Sequence, residues 1–287
     1  MMGGHLMSPS YGEILNIAPL LKLQQPLSPA NHHDELQYVI VHQVSELWFK
    51  LLLHELEAVR DETLGGSLGR AVRLLRRSNQ IVQTLDQGFS LLETMTAYDY
   101  AQFRPSLTGG SGFQSAQFRE LEVLLGCHRP ATLNQPAFTA EERARLERRL
   151  QEPNLWDAFV AAMRQSGYAM EDRATVAADP AAAARVEQAL QAMYTRGGHP
   201  DLRDLSEEFA ALDNTLLLWR THHAIMAERA IGSKVGTGGE GDGQLEGPRD
   251  HAEALELVDA EIHAALGDRV LDAVGHRVVH GGERFAE

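Results

Sequence analysis

Between His33 and Arg60 apolar residues recur at threes and fours: Leu36, Val39, Ile40, Val44, Leu47, Trp48, Leu51, Leu52, Leu56 and Val59. They cover well over half of a helical circumference, which predicts a helix in the middle of a bundle rather than on its skin. A second run, Arg70 to Glu93, keeps the period through Val72, Leu75, Ile81, Val82, Leu85, Phe89 and Leu92. A third, from about Leu205 to Ile231, aligns Leu212, Leu216, Trp219, His223, Met226 and Ala230 on one stripe. Shorter helices are expected up to Leu125 and over Glu141–Gln151, Leu155–Ser166 and Pro180–Met193, with Thr139-Ala-Glu-Glu as a helix start. Turn-rich stretches follow Gln24, Glu62 and Gly197. The expected fold is an all-α bundle, with residues 126–202 an accessory helical region rich in alanine and acid.

Composition narrows the classes. The 287 residues allow one large domain or two small ones with ample apolar content for a core. A formal charge of −14 argues against a nucleic-acid or anionic-membrane surface. The lone Cys127 excludes an internal disulfide framework and suits a reducing compartment. The start, MMGGHLMSPSYG, has no signal-peptide pattern and no run reaches membrane-spanning length, so the expectation is a cytoplasmic protein.

Three places break the apolar logic. His42 lies one turn after Tyr38, with Ser45 and Glu46 one turn further on. His223 occupies the point on the third stripe where the next core residue belongs, and His222 sits about a third of the way round. A lone histidine on an apolar face is more often a hydrogen-bonded core residue than a reactive one. It is also the side chain that holds haem iron from the proximal side. Finally, Arg104 stands beside a proline and Ser111 precedes a helix start, both within reach of a pocket rim. A guanidinium matches the two oxygens of a carboxylate, although an arginine paired with a nearby acid and a serine capping a helix would look the same. The glycine-rich segment around Ser111 lacks the lysine of a phosphate-binding loop.

The run HDELQYVIVHQVSELWFK resembles the haem-dependent tryptophan 2,3-dioxygenase family, as do LETMTAYDYAQFRPSLTGGSGFQSAQFRELE and Leu218-Trp-Arg-Thr-His-His with Gly236-Thr-Gly-Gly. The likeness spans roughly residues 11–125 and 203–239. It implies a haem-binding helical bundle that uses haem b to add dioxygen across the C2–C3 bond of L-tryptophan, giving N-formylkynurenine. By the same resemblance His223, fourteen residues before Thr237, is the axial iron ligand, and His42 is the distal histidine that meets the indole nitrogen. Arg104 binds the substrate carboxylate, Ser111 lies close to the haem, and Thr237 meets the ammonium and carboxylate. Tyr11 becomes a substrate contact made in a neighbouring subunit of a homotetramer. Two positions depart from the family: an aromatic usually phenylalanine is Tyr38, and a second N-terminal tyrosine is Ile14. These keep open a related haem enzyme that hydroxylates an indole or aromatic amino acid, and a non-catalytic homologue.

After Gly239 the family pattern stops. Asp272-Ala-Val-Gly-His-Arg-Val-Val-His-Gly-Gly-Glu resembles an internal piece of acetate kinase, with Arg277 at the position that serves the acetate site there. Some forty residues cannot build that two-domain kinase, so residues 240–287 are expected to be an atypical tail without kinase activity, following a dioxygenase-like domain over 1–239.

Overall fold

A computed structural model describes residues 8–107 and 114–231, and all the regular structure among them is helical. Two short helices, α1 (Tyr11–Ile14) and α2 (Ile17–Leu20), lead to α3 (His33–Leu64) and α4 (Leu68–Leu92). A short α5 (Ala97–Phe103) runs into a 3-10 turn, Arg104–Leu107, and α6 (Ala116–Leu125) follows. Then come α7 (Ala140–Leu150), α8 (Leu155–Gln165), α9 (Arg173–Ala178), α10 (Pro180–Arg196) and α11 (Pro200–Ile231).

The platform is α4. Its apolar stripe buries Val72, Leu75, Val82 and Leu85, and both long neighbours, α3 and α11, pack along it extensively. On α3 the buried apolar residues are Val41, Phe49, Leu52, Leu53, Leu56 and Val59, all but Val41 in the C-terminal half. The N-terminal half is different. There Leu36, Ile40, Val44 and Leu47 are 40–54 % exposed, so the all-round apolar pattern marks a buried half followed back to a half with an open apolar face. Helices α8 and α10 feed Phe159, Met163, Leu190 and Met193 into the same core. Gly126 ends α6 in a left-handed conformation (φ 76°), and an added Cβ would press against Asn154, the residue that caps α8.

Ion pairs lock α6 in place. Glu120, almost wholly buried, receives Arg149 at 2.6 Å and Arg145 at 2.9 Å from α7, and Arg149 also reaches Glu57 on α3. Glu122 accepts from Arg119 of its own helix and from Arg220 of α11. Buried charges of this kind are tolerated because each has an opposite partner.

The approach to α3 hangs on one carboxylate. Glu35, fully buried in the first turn, accepts the backbone N–H groups of Leu27 and Ser28 and the Ser28 hydroxyl. Burial works to raise its pKa, but the Ser28 and Leu27 hydrogen bonds outweigh it and hold the carboxyl low. Glu35→Ala strands two amides and is expected to destabilise the fold by about 2 kcal/mol, lowering the melting temperature by about 4–8 °C. Because the folded-state value is depressed, that contribution is complete above about pH 4.3 and drains away as pH falls through the lower folded value. Thermal denaturation of both proteins from pH 7 to pH 3 checks it: the gap between them narrows only in acid.

Candidate active site

The first group comes from the N-terminal half of α3. His42 Nδ1 lies 2.8 Å from the Tyr38 carbonyl oxygen. A carbonyl only accepts, so Nδ1 carries the proton and Nε2 is left as an acceptor. The Tyr38 ring packs on the imidazole with centroids 3.9 Å apart, which fixes the ring's orientation. Burial lowers the His42 pKa, against the opposing pull of the Tyr38 carbonyl and Glu46, so the imidazole is neutral at pH 7. Gln117 of α6 holds Glu46 in turn, donating to its backbone oxygen at 2.9 Å and its carboxylate at 2.7 Å.

The second comes from α11. His223 packs against Phe89 of α4 with ring centroids 5.3 Å apart. Its pKa is lowered, first by burial and then by the charges that His42 and His222 would carry. The influence of His42 puts imidazoles from two different helices in one neighbourhood. The His223 side chain is exposed to solvent, yet the protein around it is the largest influence in keeping it uncharged. Among the described residues it forms no hydrogen bond. His222 is committed at both nitrogens, with Nδ1 2.8 Å from Asp86 and Nε2 3.4 Å from Glu93. Burial pulls its pKa down, but the two carboxylates more than compensate and raise it. Of the adjacent pair, His223 has the lone pair to offer.

The neighbourhood of His223 is aromatic. Trp219, one turn before His223, stacks on Phe89 at 5.4 Å and meets Phe49 and Phe118 at 6.0 and 5.5 Å. Among the described residues no cluster of three or more His, Cys, Asp or Glu side chains is placed to hold a bare metal ion. A single neutral imidazole on an aromatic wall suits an iron whose other donors come from a macrocycle, and the apolar lining suits the macrocycle itself. The residues present therefore fit a haem.

The third group sits at the end of α5, which touches both α3 and α11. Pro105 stops the helix, and the chain turns so that Phe103 is fully buried while Arg104 stays at the rim. Rings of Tyr38, Tyr100 and Phe103 meet pairwise at 5.5–5.9 Å. Tyr100, one turn before Arg104, interacts with its guanidinium and with the Tyr38 hydroxyl. Burial first, and the neighbouring Tyr100 next, push the Tyr38 hydroxyl far above the ordinary tyrosine pKa, so it stays protonated. Beside these groups lies an open depression of about 260 Å³, lined by Leu27, Tyr38, Val39, His42, Ser106 and Leu107. It is mostly apolar, with an imidazole on one wall.

Of the residues singled out in the sequence, the structure thus gathers His42, Tyr38 and Arg104 and sets His223 near His42. Tyr11 stands on α1, 75 % exposed, and its side chain makes no hydrogen bond or ring contact among the described residues. Ser111, Thr237 and the tail 240–287 lie outside the described residues. Tyr100 and the Asp86–Glu93 pair were missed. Their signals were present, since Tyr100 is four residues before Arg104 and the two acids are seven residues apart on one helical face.

A protein-family model described as tryptophan 2,3-dioxygenase matches residues 3–171. A tryptophan 2,3-dioxygenase of Nocardioides sp. is 44 % identical over 235 residues, covering 80 % of this chain and 85 % of the relative. The enzymes of that name from Herpetosiphon aurantiacus and Pseudomonas aeruginosa are each 41 % identical, covering 80 % and 82 % of this chain and 88 % and 83 % of theirs.

The two histidines on α3 and α11 are expected to differ in solution from His222. Nitrogen-15 NMR of the cofactor-free protein should find His42 neutral with its proton on Nδ1 at pH 7, gaining its second proton only below the ordinary histidine value. His222 should hold its second proton above the ordinary histidine value of about 6.5. Both shifts are read from ring-nitrogen chemical shifts across pH 5–8.

Proposed function

This chain belongs to the tryptophan 2,3-dioxygenase family, and from that membership we propose that it opens the indole ring of L-tryptophan between C2 and C3. Both atoms of dioxygen enter the product, N-formylkynurenine, which commits tryptophan to catabolism through kynurenine. The observation that carries the reading is the pair of neutral imidazoles on α3 and α11. One keeps Nε2 as an acceptor, and the other has no hydrogen bond among the described residues.

His223 would hold a haem b iron from α11, with Phe89 and Trp219 as the apolar wall. The haem, when bound, supplies the activation of dioxygen. The chain's own part is orientation. His42, its Nδ1–H spent on the Tyr38 carbonyl, accepts the indole N–H at Nε2, which selects the tilt of the ring. Arg104 pairs with the substrate carboxylate at the rim, so the two ends of the amino acid are fixed from α3 and from the α5 turn. Ser111, expected close to the haem, and Thr237, expected to meet the ammonium and carboxylate, complete the site in this reading. The mostly apolar depression beside His42 offers an apolar wall to the indole.

We further propose that the chain works as a homotetramer in the cytoplasm. Support for self-association comes from the apolar surface left open on the single chain: Leu15, Leu21 and Leu23 near Tyr11, and the outer face of α3. None of the described helices is long and apolar enough to cross a membrane.

Haem-supplemented protein, reduced without oxygen and then given oxygen and L-tryptophan, should yield a product heavier than tryptophan by two oxygen atoms. A product with one added oxygen would establish the hydroxylase instead, and absence of a Soret band would establish a non-catalytic homologue. His223→Ala is expected to lose the Soret band while His222→Ala keeps it. Arg104→Ala should raise KM for L-tryptophan about 10- to 100-fold, the scale of a charge-assisted hydrogen-bonded pair.

A further inference from the structure

The approach to α3 is tied to that helix at two places. At the first, the Gln43 side chain uses both ends of its amide, accepting from Gln24 Nε2 at 2.6 Å and donating to the Leu23 carbonyl oxygen at 3.1 Å. At the second, Glu35 receives the backbone N–H groups of Leu27 and Ser28. Pro26 stiffens the short stretch between the ties, so the backbone at Leu27 has little freedom left. The side chain held in this way is not part of the core. Leu27 is 61 % exposed and lines the open depression beside His42. Three segments of chain border that depression: α3 gives Tyr38, His42 and Gln43, the turn that begins at Arg104 gives Ser106 and Leu107, and the tied approach gives Leu27. Fixing a leucine that stays in water brings no return of its own. Fixing it beforehand strengthens binding when something apolar comes to rest on it.

We propose that Leu27 is a specificity-determining residue, bordering the benzo ring of the substrate, and that Gln43 is the residue that positions it. The proposal rests on the reading of His42 as the acceptor of the indole N–H. In tryptophan the ring atoms farthest from the C3 side chain are C6 and C7, and C7 adjoins the atom that bears the N–H. With the N–H at His42 and the amino-acid end drawn to Arg104, the turn after Arg104 serves one end of the ligand. The C6–C7 edge is left for the segment on no other duty, which is the one that carries Leu27. Gln43 follows His42 directly in the sequence, so the residue beside the indole acceptor also sets how close this border stands.

The test measures equilibrium binding of L-tryptophan and of 6-methyl-L-tryptophan to the haem-loaded full chain, with KM and kcat beside it. Leu27→Ala should weaken L-tryptophan about three- to tenfold, the scale of part of one leucine's apolar contact, and should weaken the methylated ligand less or tighten it. The preference between the two then moves toward the methylated ligand. Gln43→Leu keeps the bulk and removes both hydrogen bonds, and it should move the preference the same way. Gln24→Ala, which does not line the depression, should do so to a smaller extent. Equal weakening of both ligands by Leu27→Ala, or no change in either, overturns the proposal. So does a loss that comes with a changed oligomeric state, which would make Leu27 a contact between subunits. A Leu27→Ala shift that neither glutamine variant reproduces overturns the positioning role of Gln43. If the wild-type chain binds neither ligand, or His42→Ala binds both as tightly as wild type, the reading of the site falls and takes this proposal with it. If wild type binds both through His42 and Leu27→Ala leaves their ratio alone, this proposal fails by itself.

Discussion

The stacking of Trp219 on Phe89 sets the spacing on which everything else depends. Phe49 and Phe118 close on the same indole, so residues from α3, α4, α6 and α11 meet in one aromatic knot. Large flat side chains keep helices apart as firmly as they hold them together. Here α3 and α11 both lie along α4 and share few contacts with each other outside the knot. His42 lies on α3 two turns before Phe49, and His223 on α11 one turn after Trp219, so each helix carries its histidine next to the knot. The Arg220–Glu122 pair, immediately after Trp219, pins α11 to α6 at the same level.

Electrostatics assigns roles to three histidines that sequence makes nearly equivalent. His42 and His223 lie where charge is unwelcome, and each is kept neutral by its surroundings, with the potential charge of one reinforcing the neutrality of the other. Neutral imidazole is the form that can accept a hydrogen bond or ligate a metal. His222, one residue away, faces Asp86 and Glu93 and is driven toward the cation. Adjacent positions on a helix point about 100° apart, and that rotation separates His223 from a residue bound to the flank of α4.

Much of this was legible in the sequence, for a reason that also explains what was not. The three long helices announced themselves because their buried faces repeat at 3.6 residues, and the observed limits of α4 and α11 fall within a few residues of the periodic runs. His42 and His223 stood out as polar interruptions of apolar stripes, and the spacing to Thr237 preferred His223 over His222 before any geometry did. Periodicity says which face is apolar, however, not what covers it. The all-round pattern of α3 read as full burial, whereas Leu36, Ile40, Val44 and Leu47 are open on the single chain. Contacts between distant segments were silent as well: nothing local in Asp86, Glu93 or Gln117 says that they meet His222 and Glu46. The short α9 lacked a long enough stripe to register.

The departure of Tyr38 from the family's usual phenylalanine bears on the choice between ring opening and hydroxylation. A new hydroxyl in a pocket alters chemistry when it points at the reacting atoms, by donating to bound oxygen or by taking space from the indole. In this structure the Tyr38 ring is wedged between His42 and Phe103, and burial with Tyr100 beside it keeps the hydroxyl protonated. The face turned toward His42 is aromatic carbon, as a phenylalanine's would be. The ring surface against His42 therefore stays as apolar as a phenylalanine's, and the added hydroxyl is uncharged. An uncharged aromatic face beside a neutral imidazole is the environment that a phenylalanine would give, and that favours the dioxygenase of the family over the hydroxylase.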